Sequence, residues 1–280
     1  FGCDFVKFMP PGDYPIIDWG GQSEYQGSRS GTRTTTRFPM SDLADWAKLR
    51  PLNVHQGFNA VVLEALASTR ARLDPAVPLF QTIFSPLTIA MKLSNGRAIA
   101  DLRADSAAMH AALRVITEVT RAMLRASVEA GAEGIFFATQ YADERVMTLE
   151  EYQTFGLPYD LEVLQSARPD TMILLHLHGE RPMFALQAHY PAAIVSWHDR
   201  HAGPSLSDGQ RQSGRCVAGG LNERTIADRT AGDIAAEAED ALAATGGRRH
   251  LLAPGCVIPI DTPEENILAA IAAARHFTPV

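Results

Sequence analysis

The sequence predicts an α/β protein of the (β/α)8 TIM-barrel class, and three observations carry that prediction. Short apolar runs, about seven of them, alternate with helical stretches over 280 residues, the signature of a parallel sheet. No shift in composition marks a second domain, so residues 1–280 read as one domain with a hairpin or loop extension at about 14–38. No Gly-x-Gly-x-x-Gly opens a helix, which leaves a dinucleotide-binding open sheet without support and favours the barrel. Its first strand is expected upstream of Phe1, because Phe1-Gly2-Cys3-Asp4 reads as a helix end running straight into a strand.

The elements follow in order. Asp4 to Met9 reads as a strand stopped by Pro10-Pro11-Gly12. From Tyr14 to Phe38 the chain is polar, and alternation around Ser23-Glu24-Tyr25 and Thr34-Thr35-Thr36 predicts a hairpin. Ser41 is expected to cap a short helix through Lys48, and a longer helix follows from Gly57 to Arg72. Val77 to Phe84 is the next strand, ending at Ser85. Asp105 or Ser106 opens the longest helix, whose inner face is Met109, Leu113, Ile116, Thr120, Met123 and Ser127.

Gly134 to Thr139 is a strand that delivers Gln140 to its end, and Thr148-x-x-Glu151 is a capping box. Met172 to Leu175 begins the central strand. Ala193 to Trp197, Arg215 to Gly220 and His250 to Ala253 are the remaining strands, with a small-residue helix from Ala231 to Ala244. Asp261-Thr262-Pro263-Glu264-Glu265 offers a cap, a Pro at the first helical position and a capping-box Glu.

Composition excludes several classes. A formal net charge of -7 leaves no electrostatic footprint for nucleic acid, and no apolar run reaches membrane-spanning length. Three well-separated cysteines, Cys3, Cys216 and Cys256, argue against a disulfide scaffold and for a cytoplasmic setting.

The chemistry gathers on His176-Leu177-His178-Gly179. Side chains two apart on a strand share a face, so both imidazoles project together from a rigid strand end, an arrangement that suits a metal ion. The competing reading is a pair of hydrogen-bonded pocket histidines. Cys256, in the turn Pro254-Gly255-Cys256, is the best candidate for a third ligand. In a barrel the functional residues collect at C-terminal strand ends, where Gln140, His198 and Asp199 also fall. Arg29, Arg33 and Arg37 lie along the extension, where they either meet carboxylates or are ordinary exposed cations. His55, His110, His189 and His276 read as surface residues.

On five motifs the chain resembles the uroporphyrinogen decarboxylase superfamily over essentially its whole length. They are Phe84-Ser85-Pro86-Leu87-Thr88, Gly131 to Phe136, His176-Leu177-His178-Gly179, Gly219-Gly220-Leu221-Asn222, and Pro254-Gly255-Cys256 with Asp261 to Asn266. The resemblance implies a single barrel and one of two chemistries. Decarboxylase members act on a tetrapyrrole without a metal and place a His in the last turn, where this chain has Cys256. Methyltransferase members bind zinc through His-x-Cys plus that last-turn Cys and move a methyl group between a corrinoid protein and a thiol. This chain is similar to them with His178 in place of the first Cys.

The resemblance therefore implies Zn²⁺ on His176, His178 and Cys256, with Gln140, Asp199 and His198 as catalytic residues. Ser85, Arg29 and Arg33 are expected at the substrate. The implied partners are a small-molecule thiol, a corrinoid protein and a second copy of the chain as a homodimer. A tetrapyrrole lyase is the alternative, with Arg29, Arg33 and Arg37 supplying its cations. A non-catalytic relative that captures a small molecule or metal is a third.

Overall fold

The computed structural model describes residues 1–278 and divides into two compact units. The first unit comprises residues 4–26 and 32–173. It opens with β1 (Val6–Phe8), a helical turn α1 (Tyr14–Ile17) and the antiparallel pair β2 (Gln22–Glu24) and β3 (Thr34–Arg37). The hairpin is thus where alternation places it, but the segment before it is not mere surface. Tyr14 and Ile16 are buried, and Tyr14 donates its hydroxyl to the Thr82 carbonyl at 3.0 Å.

A 3-10 turn at Leu43–Lys48 is capped by Asp42 and not by Ser41, whose backbone N–H and hydroxyl both donate to Asp45. Then come α2 (Gly57–Arg72), β4 (Leu79–Phe84), α3 (Pro86–Leu93), α4 (Ala98–Ala104), α5 (Ser106–Glu129), β5 (Gly134–Thr139), α6 (Leu149–Phe155) and α7 (Leu157–Leu164). β4 pairs in parallel with β1 and with β5. Its six residues are all buried, as expected for a strand covered on both faces.

Asp105 caps α5 by accepting from Ala108 N at 2.9 Å, and all six residues of the predicted inner face are buried. Thr120 and Ser127 tolerate that burial by donating to the carbonyls of Ile116 and Met123. His110 departs from expectation: it is half-buried, with its ring stacked 4.6 Å from Phe155 and Nδ1 2.7 Å from the Tyr159 hydroxyl. The Thr148–Glu151 capping box of α6 is present in both directions.

The second unit comprises residues 1–3, 27–31 and the chain from Leu174 onward. Its strands are β6 (Met172–Leu177), β7 (Ile194–Trp197), β8 (Cys216–Leu221) and β9 (His250–Pro254), each parallel to the next. Between them lie a 3-10 turn at Phe184–His189, α8 (Leu206–Ser213) and α9 (Ala231–Thr245), and α10 (Glu264–His276) closes the unit. Leu221, Ile226, Ile234, Ala238 and Ala270 form a core cluster under β8.

The start of α10 differs from the sequence expectation. Its N-cap is Pro263, which has no capping side chain; the Thr262 hydroxyl donates instead to the Pro259 carbonyl at 2.7 Å, and Asp261 pairs with Arg29 at 2.9 Å. The cost is offset inside the helix, where buried Asn266 donates to the carbonyls of Ile226 and Arg229 at 2.6 and 2.9 Å. No helix among the described residues is long and apolar enough to cross a membrane. Parallel strands alternating with helices in both units give the α/β class predicted from the sequence.

Candidate metal centre

His176 sits on β6 opposite Ser196 of β7, and the register brings its Nδ1 to 3.2 Å from the Ser196 hydroxyl. Two residues on, His178 leaves the strand end half-buried on the same side. Gly179 then takes a φ of 135°, a backbone conformation that side-chain-bearing residues rarely adopt, so the turn that releases His178 requires glycine. His198 follows the last residue of β7 and is 5% exposed. Its Nε2 lies 2.9 Å from His178 Nδ1, and its Nδ1 lies 2.6 Å from Glu223 Oε1.

Cys256 arrives from the turn after β9 and sets its sulfur 3.8 Å from His178 Nδ1. One ligand atom from each of His176, His178, His198 and Cys256 lies within 4.8 Å of the others. The structure therefore brings together the three residues predicted as metal ligands, drawn from positions up to 80 apart in sequence, and adds His198 to them. Three imidazoles and a thiol converging from strand ends can hold a metal ion.

Glu223 was not anticipated. It follows β8 by two residues, 5% exposed, and its Oε1 lies 2.6 Å from His198 Nδ1 and 3.5 Å from His201 Nε2. Burial raises the Glu223 carboxyl, yet the bond from His198 and the neighbouring imidazoles outweigh that and hold it below the usual range. Burial lowers the His201 imidazole. The available signal was position: a carboxylate just past a barrel strand is where functional groups gather.

The other expected site residues have different placements. The Asp199 side chain is buried, and both its oxygens accept from Gly220 N at 3.1 Å, so it braces the β8 backbone. Burial pushes its carboxyl up to about 6. Arg29 grips Asp228 at 2.7 Å and Asp261 at 2.9 Å, which pins the 27–31 segment within its unit. Ser85, Gln140 and Arg33 belong to the first unit. The Ser85 hydroxyl caps α3 by accepting from Thr88 N, Gln140 donates its backbone N–H to the Thr88 hydroxyl, and Arg33 donates to Ser23.

A parallel α/β scaffold that carries a partly buried His/Cys group at its strand ends is the layout of a barrel enzyme. The chain belongs to the uroporphyrinogen decarboxylase (URO-D) family, whose model matches residues 28–277. It is 27% identical over 256 residues to the methylcobamide:CoM methyltransferase MtaA of Methanosarcina barkeri, covering 90% of this chain and 74% of that protein. It is also 26% identical over 253 residues to the uroporphyrinogen decarboxylase of Sorangium cellulosum, covering 83% and 68%. A solved methyltransferase from Methanosarcina mazei shares its fold, with a TM-score of 0.81 and 23% identity over 98% of this chain and 80% of that one. The fold is accordingly the barrel type predicted from the sequence, and relatives of both chemistries are found.

Proposed function

We propose that the chain is a zinc-dependent methyltransferase that moves a methyl group from a corrinoid, carried by a partner protein, to a small-molecule thiol. The observation that carries this reading is the Cys256 sulfur standing 3.8 Å from His178 Nδ1, inside a group that includes His176 and His198. Around a tetrahedral zinc, bond lengths of about 2.0–2.1 Å to nitrogen and 2.3 Å to sulfur put two nitrogens about 3.3 Å apart and nitrogen and sulfur about 3.6 Å apart. The 2.9 Å between His198 and His178 and the 3.8 Å between His178 and Cys256 lie within a few tenths of an ångström of those values. Imidazole and thiolate are both donors that zinc accepts.

His176, His178 and Cys256 would hold the ion. Ser196 fixes the ring of His176, and Glu223 fixes that of His198, as partners of ligating histidines generally do. When bound, zinc supplies a positive centre that stabilises a substrate thiol as its thiolate near neutral pH. In the reaction the thiol gives up its proton to solvent and its sulfur bonds to the methyl carbon. The carbon–cobalt bond breaks with its electron pair left on the corrinoid. The name of the Methanosarcina barkeri relative, a methylcobamide:CoM methyltransferase, supports this donor and acceptor class.

The tetrapyrrole-lyase alternative needs free cations to meet carboxylates. Arg29 is engaged by two aspartates and Arg33 by Ser23, so two of its three expected cations are already committed. The test is incubation of the zinc-loaded chain with methylcobalamin and coenzyme M, following loss of the methylcobalamin absorbance. Thiol-dependent demethylation that disappears in Cys256→Ala and His176→Ala is expected. Demethylation indifferent to both substitutions, or decarboxylation of uroporphyrinogen by metal-free protein, would overturn the reading.

A further inference from the structure

Beside the His/Cys group lies a cluster that shares His198 with it and adds His201, which the proposed reaction does not use. We propose that His198, His201 and Glu223 form a second divalent-cation site that adjoins the first through the shared ring of His198. One ligand atom from each of the three lies within 4.8 Å of the others. Glu223 Oε1 stands 2.6 Å from His198 Nδ1 and 3.5 Å from His201 Nε2, values that straddle the donor spacing of about 3.3 Å around a tetrahedral ion.

The cluster is incomplete as protein alone. Glu223 is 5% exposed, and its Oε2 has no hydrogen-bond partner. Neither ring nitrogen of His201 has one, although that side chain is only 15% exposed. A buried carboxylate oxygen and a buried imidazole are costly to leave unanswered. What they share is an electron pair to give, and a cation is the one small partner that accepts from all three residues together. Two imidazoles and a carboxylate suit a divalent transition ion such as zinc, cobalt, manganese or iron.

The carboxylate is also held in place. A Cβ at Gly255 would lie 2.8 Å from Glu223 Oε2, so the turn that carries Cys256 presses on it and only glycine permits the approach.

Sharing His198 has a consequence. A neutral imidazole has one lone pair. With Nδ1–H donated to Glu223, Nε2 turns its lone pair to the inner group and brings it to four donors. With Nδ1 on an outer cation, the proton sits on Nε2, and the inner group is reduced to His176, His178 and Cys256. That leaves one position for a thiol, so the outer ion would open the inner centre. This consequence rests on the zinc reading above; the outer site itself does not.

The test is a cobalt(II) titration of the metal-stripped full chain, with bound metal counted by elemental analysis after gel filtration and sulfur-to-cobalt charge transfer followed by absorbance. Two equivalents are expected. One carries the sulfur band and is lost in Cys256→Ala. The other adds nothing to that band and is lost in His201→Ala, which keeps the band. His201→Gln, which preserves bulk, should behave like His201→Ala, with melting temperatures of both confirming a folded chain. Saturation at one sulfur-bound equivalent, or two equivalents surviving in both His201 variants, overturns the outer site while leaving the inner one standing. No bound cobalt at all overturns both.

Discussion

Gly255→Ala tests the packing that assembles the centre. The new Cβ would lie 2.8 Å from Glu223 Oε2, 3.1 Å from the Trp197 carbonyl oxygen and 3.2 Å from His198 Cα. Ordinary contact begins near 3.4 Å, so the carboxylate must retreat by roughly 0.6 Å while two backbone atoms, which cannot swing aside, take the rest. Overpacking of this kind costs about 1–3 kcal/mol, or several degrees of melting temperature in a chain of this size. Because Gly255 immediately precedes Cys256, the same shift moves the sulfur and the support of His198, and zinc affinity should fall about 10–100-fold. Thermal unfolding of the apo chain and chelator competition read the two effects separately. Gly12→Ala is the control, since its Cβ meets only Met9 Cε at 3.8 Å, and it should change neither. A Gly255→Ala protein as stable and as tight for zinc as the parent would refute the reasoning.

Three further substitutions probe the scaffold. Burial lowers the Lys92 ammonium from 10.5 to about 8, with Asp13 opposing only in part. The unfolded chain therefore holds that proton between pH 8 and 10.5 while the folded chain does not, and stability rises with pH across the window. Lys92→Met should remove that rise and leave stability flat between pH 8 and 10.5; urea melts that still strengthen across the window would contradict this. Glu151, held at about 2 first by Arg103 and then by the Thr148 backbone, contributes stability above its ordinary 4.5 that is lost as pH falls toward 2. Glu151→Ala should cost about 1 kcal/mol at pH 7 and flatten acid unfolding between pH 4.5 and 2, and an unchanged acid profile would count against it. Asn266→Ala leaves a buried and a partly buried carbonyl without their donor and should cost about 1–3 kcal/mol; a loss under 0.5 kcal/mol would mean that water replaces the amide.

Local signals were legible in the sequence where the backbone chemistry is local. The Thr148–Glu151 box, the Gly134–Thr139 strand and the inner face of the 106–129 helix all need only neighbouring residues to be read. Prediction failed where a distant partner decides. Arg29, some 230 residues away in sequence, takes Asp261 into an ion pair ahead of α10, while the Thr262 hydroxyl turns back to the Pro259 carbonyl. Phe155 and Tyr159 turn His110 inward. The short helices at 86–104 and at 206–213 carry too few turns to show a clear period against their apolar or polar surroundings.

At the site, His176 and His178 were visible because strand periodicity alone pairs them, and Cys256 because a strand-end turn carries it. Asp199 shared their position in the sequence, but its carboxylate braces the Gly220 backbone. Glu223 carries only the signal of its position just past β8; nothing in the neighbouring residues ties it to His198, which lies 25 residues away in sequence.

Zinc K-edge absorption of the loaded chain tests the central claim most directly. Scattering from one sulfur at about 2.3 Å and from two or three imidazole nitrogens at about 2.0–2.1 Å is expected, with the sulfur contribution absent in Cys256→Ala. A parent protein whose zinc shows only nitrogen and oxygen neighbours would contradict it.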